Sequence, residues 1–97
     1  MATLKIEATP SAGLDRYAIG VDGMTVPMRS DNKGVVAVLG KCGDRSKHVL
    51  TYSFIGPAGQ TLSIKVLCDG TQVAQVVNAK VFPAREPYGS GHEDFLL

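Results

Sequence analysis

The chain has 97 residues, enough for one domain with one modest core and too few for two. A composition of 44% hydrophobic and 20% charged residues is that of a globular protein and excludes a disordered one. Ten Lys/Arg against nine Asp/Glu, mixed along the chain, leave a formal charge of +1. Phosphate backbones reward a concentrated positive field, so no nucleic-acid partner is expected.

In chain order the residues read as strand after strand. Leu4, Ile6 and Ala8 alternate with Lys5 and Glu7 until Pro10-Ser11-Ala12-Gly13 breaks the run. Tyr17, Ile19 and Val21 alternate next, and Asp22-Gly23 is a strong hairpin-turn dipeptide, because both residues tolerate positive φ. Met24, Val26 and Met28 answer on a return strand that Pro27 makes short and marginal to its sheet. Residues 29–33 form a polar loop. Residues 35–39 are continuously apolar, which predicts burial on both faces or an oligomer contact. After a second polar loop over 40–47, residues 49–68 have the pattern of a β-hairpin. Leu50, Tyr52 and Phe54 lead into a Gly56-Pro57-Ala58-Gly59-Gln60 turn, and Leu62, Ile64, Val66 and Cys68 follow it. Asp69-Gly70 turns the chain into a last strand over residues 73–82. No window carries apolar residues at i, i+3, i+4 and i+7 with caps, so no helix is expected.

About seven short strands with regularly spaced turns predict an all-β fold, a small antiparallel β-sandwich. The resemblance is to Ig-like sandwiches as an architecture, over residues 3–82, and not to a true Ig domain, because the chain has no Trp to set against an inter-sheet disulfide. A small Greek-key β-barrel is the alternative. Residues 1–82 then form the sandwich. Residues 83–97, punctuated by Pro83, Pro87, Gly89 and Gly91, form an irregular C-terminal tail.

If each strand reverses direction, the loops sort onto two ends. The turn at Asp22-Gly23, the 40–47 loop and the turn at Asp69-Gly70 share one end, with Cys42 and Cys68 among them. That placement allows a disulfide, with two buried thiols as the alternative. Asp22, Asp44 and Asp69 fall at the same end, but Asp before Gly is explained by turn geometry, and no metal-loop spacing is present, so no metal is expected. Lys41, Arg45, Lys47 and His48 read as a solvated loop. The other end takes the 11–15, 29–33 and 56–60 connections and everything after Phe82.

Signals for catalysis are weak. The turn at residues 56–60 lacks the Lys and following helix of a phosphate loop. Ser90 and His92 sit in a Gly-rich segment without a strand–turn–helix to expose a nucleophile. The expectation is a protein that is no enzyme and carries no cofactor.

No apolar run approaches the roughly 20 residues that span a bilayer, so no membrane partner is expected. The first residues lack the layout of a signal peptide, which implies a cytoplasmic protein if the chain starts at Met1, or an exported one if a leader was removed. The functional expectation is a protein–protein interaction or assembly module whose partner is another protein or a homo-oligomer. Docking is expected through a sheet edge and the C-terminal tail, with Val35, Tyr88, Phe95, Leu96 and Leu97 as contact residues. The alternative is a small carbohydrate-type ligand module, for which Tyr17 and Tyr88 are the only candidate platform aromatics.

Overall fold

The computed structural model describes residues 1–80 and 88–97. Its eight strands are β1 (Ala2–Pro10), β2 (Arg16–Val21), β3 (Met24–Thr25), β4 (Lys33–Val38), β5 (Lys47–Ile55), β6 (Thr61–Cys68), β7 (Thr71–Lys80) and β8 (Tyr88–Leu96). They form two antiparallel four-stranded sheets, β4-β1-β6-β7 and β3-β2-β5-β8, packed face to face as a small β-sandwich. Among the described residues there is no helix.

Period-two alternation builds the core directly. Leu4, Ile6 and Ala8 of β1, Leu62, Ile64 and Val66 of β6, and Ala74 and Val76 of β7 face inward from one sheet. Ile19 and Val21 of β2, Leu50 and Phe54 of β5, and Phe95 of β8 meet them from the other. The turns at Asp22-Gly23 and Asp69-Gly70 both hold two left-handed residues, the conformation that matches the twist of flanking strands.

Four expectations are corrected. Residues 49–68 are not a hairpin: β5 pairs with β2 and β8, whereas β6 pairs with β1 and β7. The connector at 56–60 carries the chain from one sheet to the other, and the two apolar faces meet across the core. Alternation shows which face is buried. It does not show whether the next strand lies alongside or opposite.

Among the described residues there are eight strands, against the expected about seven. The eighth replaces most of the expected tail, because β8 pairs with β5 along its whole length, from Ile55↔Tyr88 to Lys47↔Leu96. The tail's residues 83–87 lie outside the described residues, as does the expected end of the preceding strand at Phe82.

The apolar run at 35–39 is not buried on both faces. β4 is the edge strand of its sheet; Val38 is buried, whereas Val35 and Leu39 are 50% and 77% exposed.

One crossing fixes where that edge ends. Met28 bridges to Gly34 of β4, stitching the chain after β3 onto the opposite sheet. A Cβ at Gly34 would fall 2.7 Å from Met28 Sδ and 2.9 Å from the Pro27 carbonyl oxygen, so only glycine lets the two segments approach this closely. On the other flank, β7 and β8, the edge strands of the two sheets, lie against each other.

Candidate functional site

The two ends sort the loops as alternation requires, with one exception. At one end the Ser11 hydroxyl donates to Gln60 Oε1 at 2.7 Å, and the Tyr17 hydroxyl donates to Asn32 Oδ1 at 2.6 Å. At the other end lie the Asp22-Gly23 turn, the 40–46 loop and the Cys42–Cys68 disulfide, whose Cα atoms are 5.8 Å apart. The exception is the C-terminus. β8 runs back to this second end, where the Leu97 N–H donates to the Ser46 carbonyl at 3.1 Å.

This second end holds the most connected polar cluster among the described residues. His48 takes an inward position on β5, in phase with Leu50 and Phe54, and is 7% exposed. Its ring lies 5.7 Å, centroid to centroid, from that of Phe95, its register partner on β8. Nδ1 is 2.5 Å from Asp22 Oδ2, and Nε2 is 2.9 Å from Ser46 Oγ. Ser46 Oγ is in turn 2.6 Å from Asp44 Oδ1.

The sequence Asp22–His48–Ser46 has the connectivity of a charge relay, so the direction of each proton matters. In acyl transfer the serine hydroxyl donates to a free lone pair on the histidine. Ser46 has one proton, and the Asp44 carboxylate takes it. With its proton on Asp44, the Ser46 hydroxyl does not donate to His48 Nε2, so the serine-to-histidine donation of a relay is not made here. The nearby backbone donors are committed as well: the N–H groups of Lys41 and Ser46 both donate to Asp44. The arrangement locks a loop, a turn and a strand together.

Its electrostatics follow. Desolvation acts most strongly on Asp22 and opposes ionisation, but hydrogen bonds from His48 and the Val49 N–H, with the charge on His48, outweigh it and hold the carboxyl below its ordinary value. The Ser46 hydroxyl, the Ser46 N–H and the Lys41 N–H bring Asp44 down to about 2. Both acids are more acidic folded than unfolded, where a carboxyl titrates near about 4. Their contribution to stability is therefore present above the ordinary carboxyl range and lost as the pH falls below it, for Asp44 toward about 2. Asp22→Asn keeps an acceptor for the Val49 N–H and removes the charge facing His48. It is expected to cost about 1–2 kcal/mol in urea unfolding near neutral pH, because charge-assisted hydrogen bonds to a partly exposed group are discounted by solvent. The gap between wild type and variant should narrow as the pH falls below the ordinary carboxyl range. A gap of constant size would show that the charge on Asp22 is not what the variant removes.

The outer face of the β5–β8 ladder beside this cluster carries an open groove of about 480 Å³, lined by Asp22, Lys47, Val49, Asp94 and Leu96 among others. Among the described residues no group of three potential metal ligands occurs. The hydrogen bonds already made by Asp22 and Asp44 engage their carboxylates.

The expected contact residues divide between inside and outside. Phe95 and Leu97 are 6% and 7% exposed and belong to the chain's own core, which corrects their reading as free docking groups. Leu96 and Tyr88 are half exposed on the outer face of the β3-β2-β5-β8 sheet, and Val35 is half exposed on the β4 edge. The structure does not bring these three together. Tyr17 is partly buried, with its hydroxyl committed to Asn32, so it offers no free ring beside Tyr88. His92 is exposed near the middle of β8, opposite Thr51, and Ser90 opposite Ser53. The His48 cluster escaped the reading of residues 41–48 as a solvated loop, although a titratable residue at an inward position was its visible signal. Comparison with protein-family models, curated proteins and solved structures finds no match.

Proposed function

We propose that this protein is a non-catalytic protein–protein interaction module that docks through the β4 edge of its β4-β1-β6-β7 sheet. The observation that carries this reading is an edge strand left open from Val35 onward, past Lys33 and the Met28 bridge at its start. Sheet edges present unpaired N–H and C=O groups, and proteins that remain alone guard them with charges, prolines or bulges. Residues 34–40 of this chain, Gly-Val-Val-Ala-Val-Leu-Gly, contain none of these, and Val35 and Leu39 stand in solvent. The opposite flank is closed by contact between β7 and β8, and β3, the edge of the other sheet, is only two residues long, which leaves β4 as the edge with a longer apolar run. Strand addition at such an edge takes its affinity from main-chain hydrogen bonds and its selectivity from alternate side chains.

The test is a pair of charge insertions. Val35→Lys combined with Leu39→Lys should abolish association in the native assembly while leaving the thermal midpoint within a few degrees, because both side chains are exposed. Leu96→Lys, on the other sheet, should leave association intact. Association that survives the β4 pair and fails with Leu96→Lys would move the docking surface to the β5–β8 face.

A further inference from the structure

We propose that the occupant of the β4 edge is the same edge of a second copy, paired antiparallel about a two-fold axis at Ala37. This rests on the edge-docking reading above. In an antiparallel pair, residues directly opposite share a face. A two-fold at Ala37 therefore sets Ala37 against Ala37 of the second copy, and Val35 against Leu39 of the second copy on either side. All are exposed in the single chain, and none is polar. The small methyl groups meet at the axis, where identical side chains must face each other. The bulkier Val–Leu pairs flank them, each occurring twice, as an isologous contact requires.

The electrostatics favour this partner. Two copies of a charged edge would repel, since like charges directly opposite are destabilising. No charge occurs between Gly34 and Gly40. Carried further, this register would bring Lys33 opposite Lys41 of the second copy. The chain prevents that contact: β4 ends at Val38, and Gly40, at φ +113°, turns the backbone away before Lys41. At the other end, the Met28 bridge occupies the edge at Gly34. The free strand residues are Val35 to Val38, with Leu39 the first residue beyond them, a stretch too short for a long invading strand and matched to its own copy. Pairing would join two four-stranded sheets into one continuous sheet.

The experiment uses the full chain with Ala37→Cys. Cys42 and Cys68 are bonded to each other, so the added thiol is the free one. In a glutathione redox buffer the variant should form a disulfide-linked dimer as its main product on a non-reducing gel. Thr3→Cys, exposed on the same face and paired with Ala37 in the β1–β4 ladder, should not. Sedimentation of the wild type should show a concentration-dependent dimer, and Ala37→Lys should weaken it by about tenfold or more, which corresponds to about 1.4 kcal/mol. A wild type that stays monomeric at every concentration overturns self-pairing, as does a dimer indifferent to Ala37→Lys with no Ala37→Cys cross-link. If that monomer still binds its native partner in a manner abolished by the Val35→Lys and Leu39→Lys pair, self-pairing falls and edge docking stands. If it does not, both fall. Should Ala37→Lys fail to fold, the cross-link reads the same contact in a variant with a smaller side chain.

Discussion

Deletion of residues 92–97 is expected to abolish cooperative unfolding. The segment supplies Phe95 and Leu97, both buried, and the pairing of β8 with β5 from Thr51↔His92 to Lys47↔Leu96. Truncating a buried Phe costs about 3–5 kcal/mol and a buried Leu about 2–5. Together they approach the whole stability of a domain this size, about 5–15 kcal/mol. The deletion would also leave His48 without its aromatic neighbour and the inner edge of β5 without a strand. Scanning calorimetry should show no transition for the deletion. Phe95→Ala should lower the midpoint by about 12 °C or more, at about 4 °C or more per kcal/mol. Leu96→Ala, at a half-exposed position, should stay under about 1 kcal/mol. A truncated protein that melts within a few degrees of wild type would remove the C-terminal half of β8 from the core.

That result separates what is legible in the chain from what is not. Inward residues are legible because period-two alternation is a property of the strand alone: Leu4, Ile6, Leu50, Phe54, Leu62, Ile64 and Val66 all lie where alternation puts them. Sheet membership is not a property of one strand. Residues 49–55 and 61–68 alternate equally well as hydrogen-bonded neighbours or as opposite walls of a core, and a Gly/Pro connector serves both. β8 was hidden for a different reason. Two of its inward-facing residues, Gly89 and Gly91, have no side chain to bury. The apolar cover comes instead from its neighbour: the Tyr52 ring lies across Gly91, where a Cβ would stand 2.5 Å from the tyrosine oxygen. A strand whose surface is provided by the adjacent strand leaves no periodic trace of its own.

The polar cluster lies between these cases. Asp22 is legible as a turn residue and His48 as an inward position, but their contact joins residues 26 apart in the chain and depends on β2 pairing with β5. The β4 edge is legible as an apolar run. Only the strand order shows that one side of it is open.

Removing the Cys42–Cys68 disulfide is the second change with a large expected effect, about 3–4 kcal/mol. The bridge closes a span of 26 residues, and the loop-entropy relation gives a loss of this size when such a constraint is lifted from the unfolded chain. Its position adds a consequence that chain entropy does not contain. Cys68 is buried at the end of β6, whereas Cys42 sits in the loop that crosses from β4 to β5 and carries Asp44 and Ser46. The bridge therefore anchors to one sheet the loop that holds His48 of the other. The double variant Cys42→Ala with Cys68→Ala should lower the thermal midpoint by about 12 °C or more. It should also loosen the 40–46 loop, so that the Asp44 carboxyl returns from about 2 toward its ordinary value. Acid sensitivity then follows with a definite sign. A depressed carboxyl contributes stability above its unfolded pKa and loses it as the pH falls, so the variant should unfold with a shallower dependence on pH between about 4 and 2. Thiol titration of the unfolded, unreduced wild type should find no free thiol. Two free thiols would remove the bridge from the fold, and an unchanged acid slope in the double variant would show that the His48 cluster holds the loop without it.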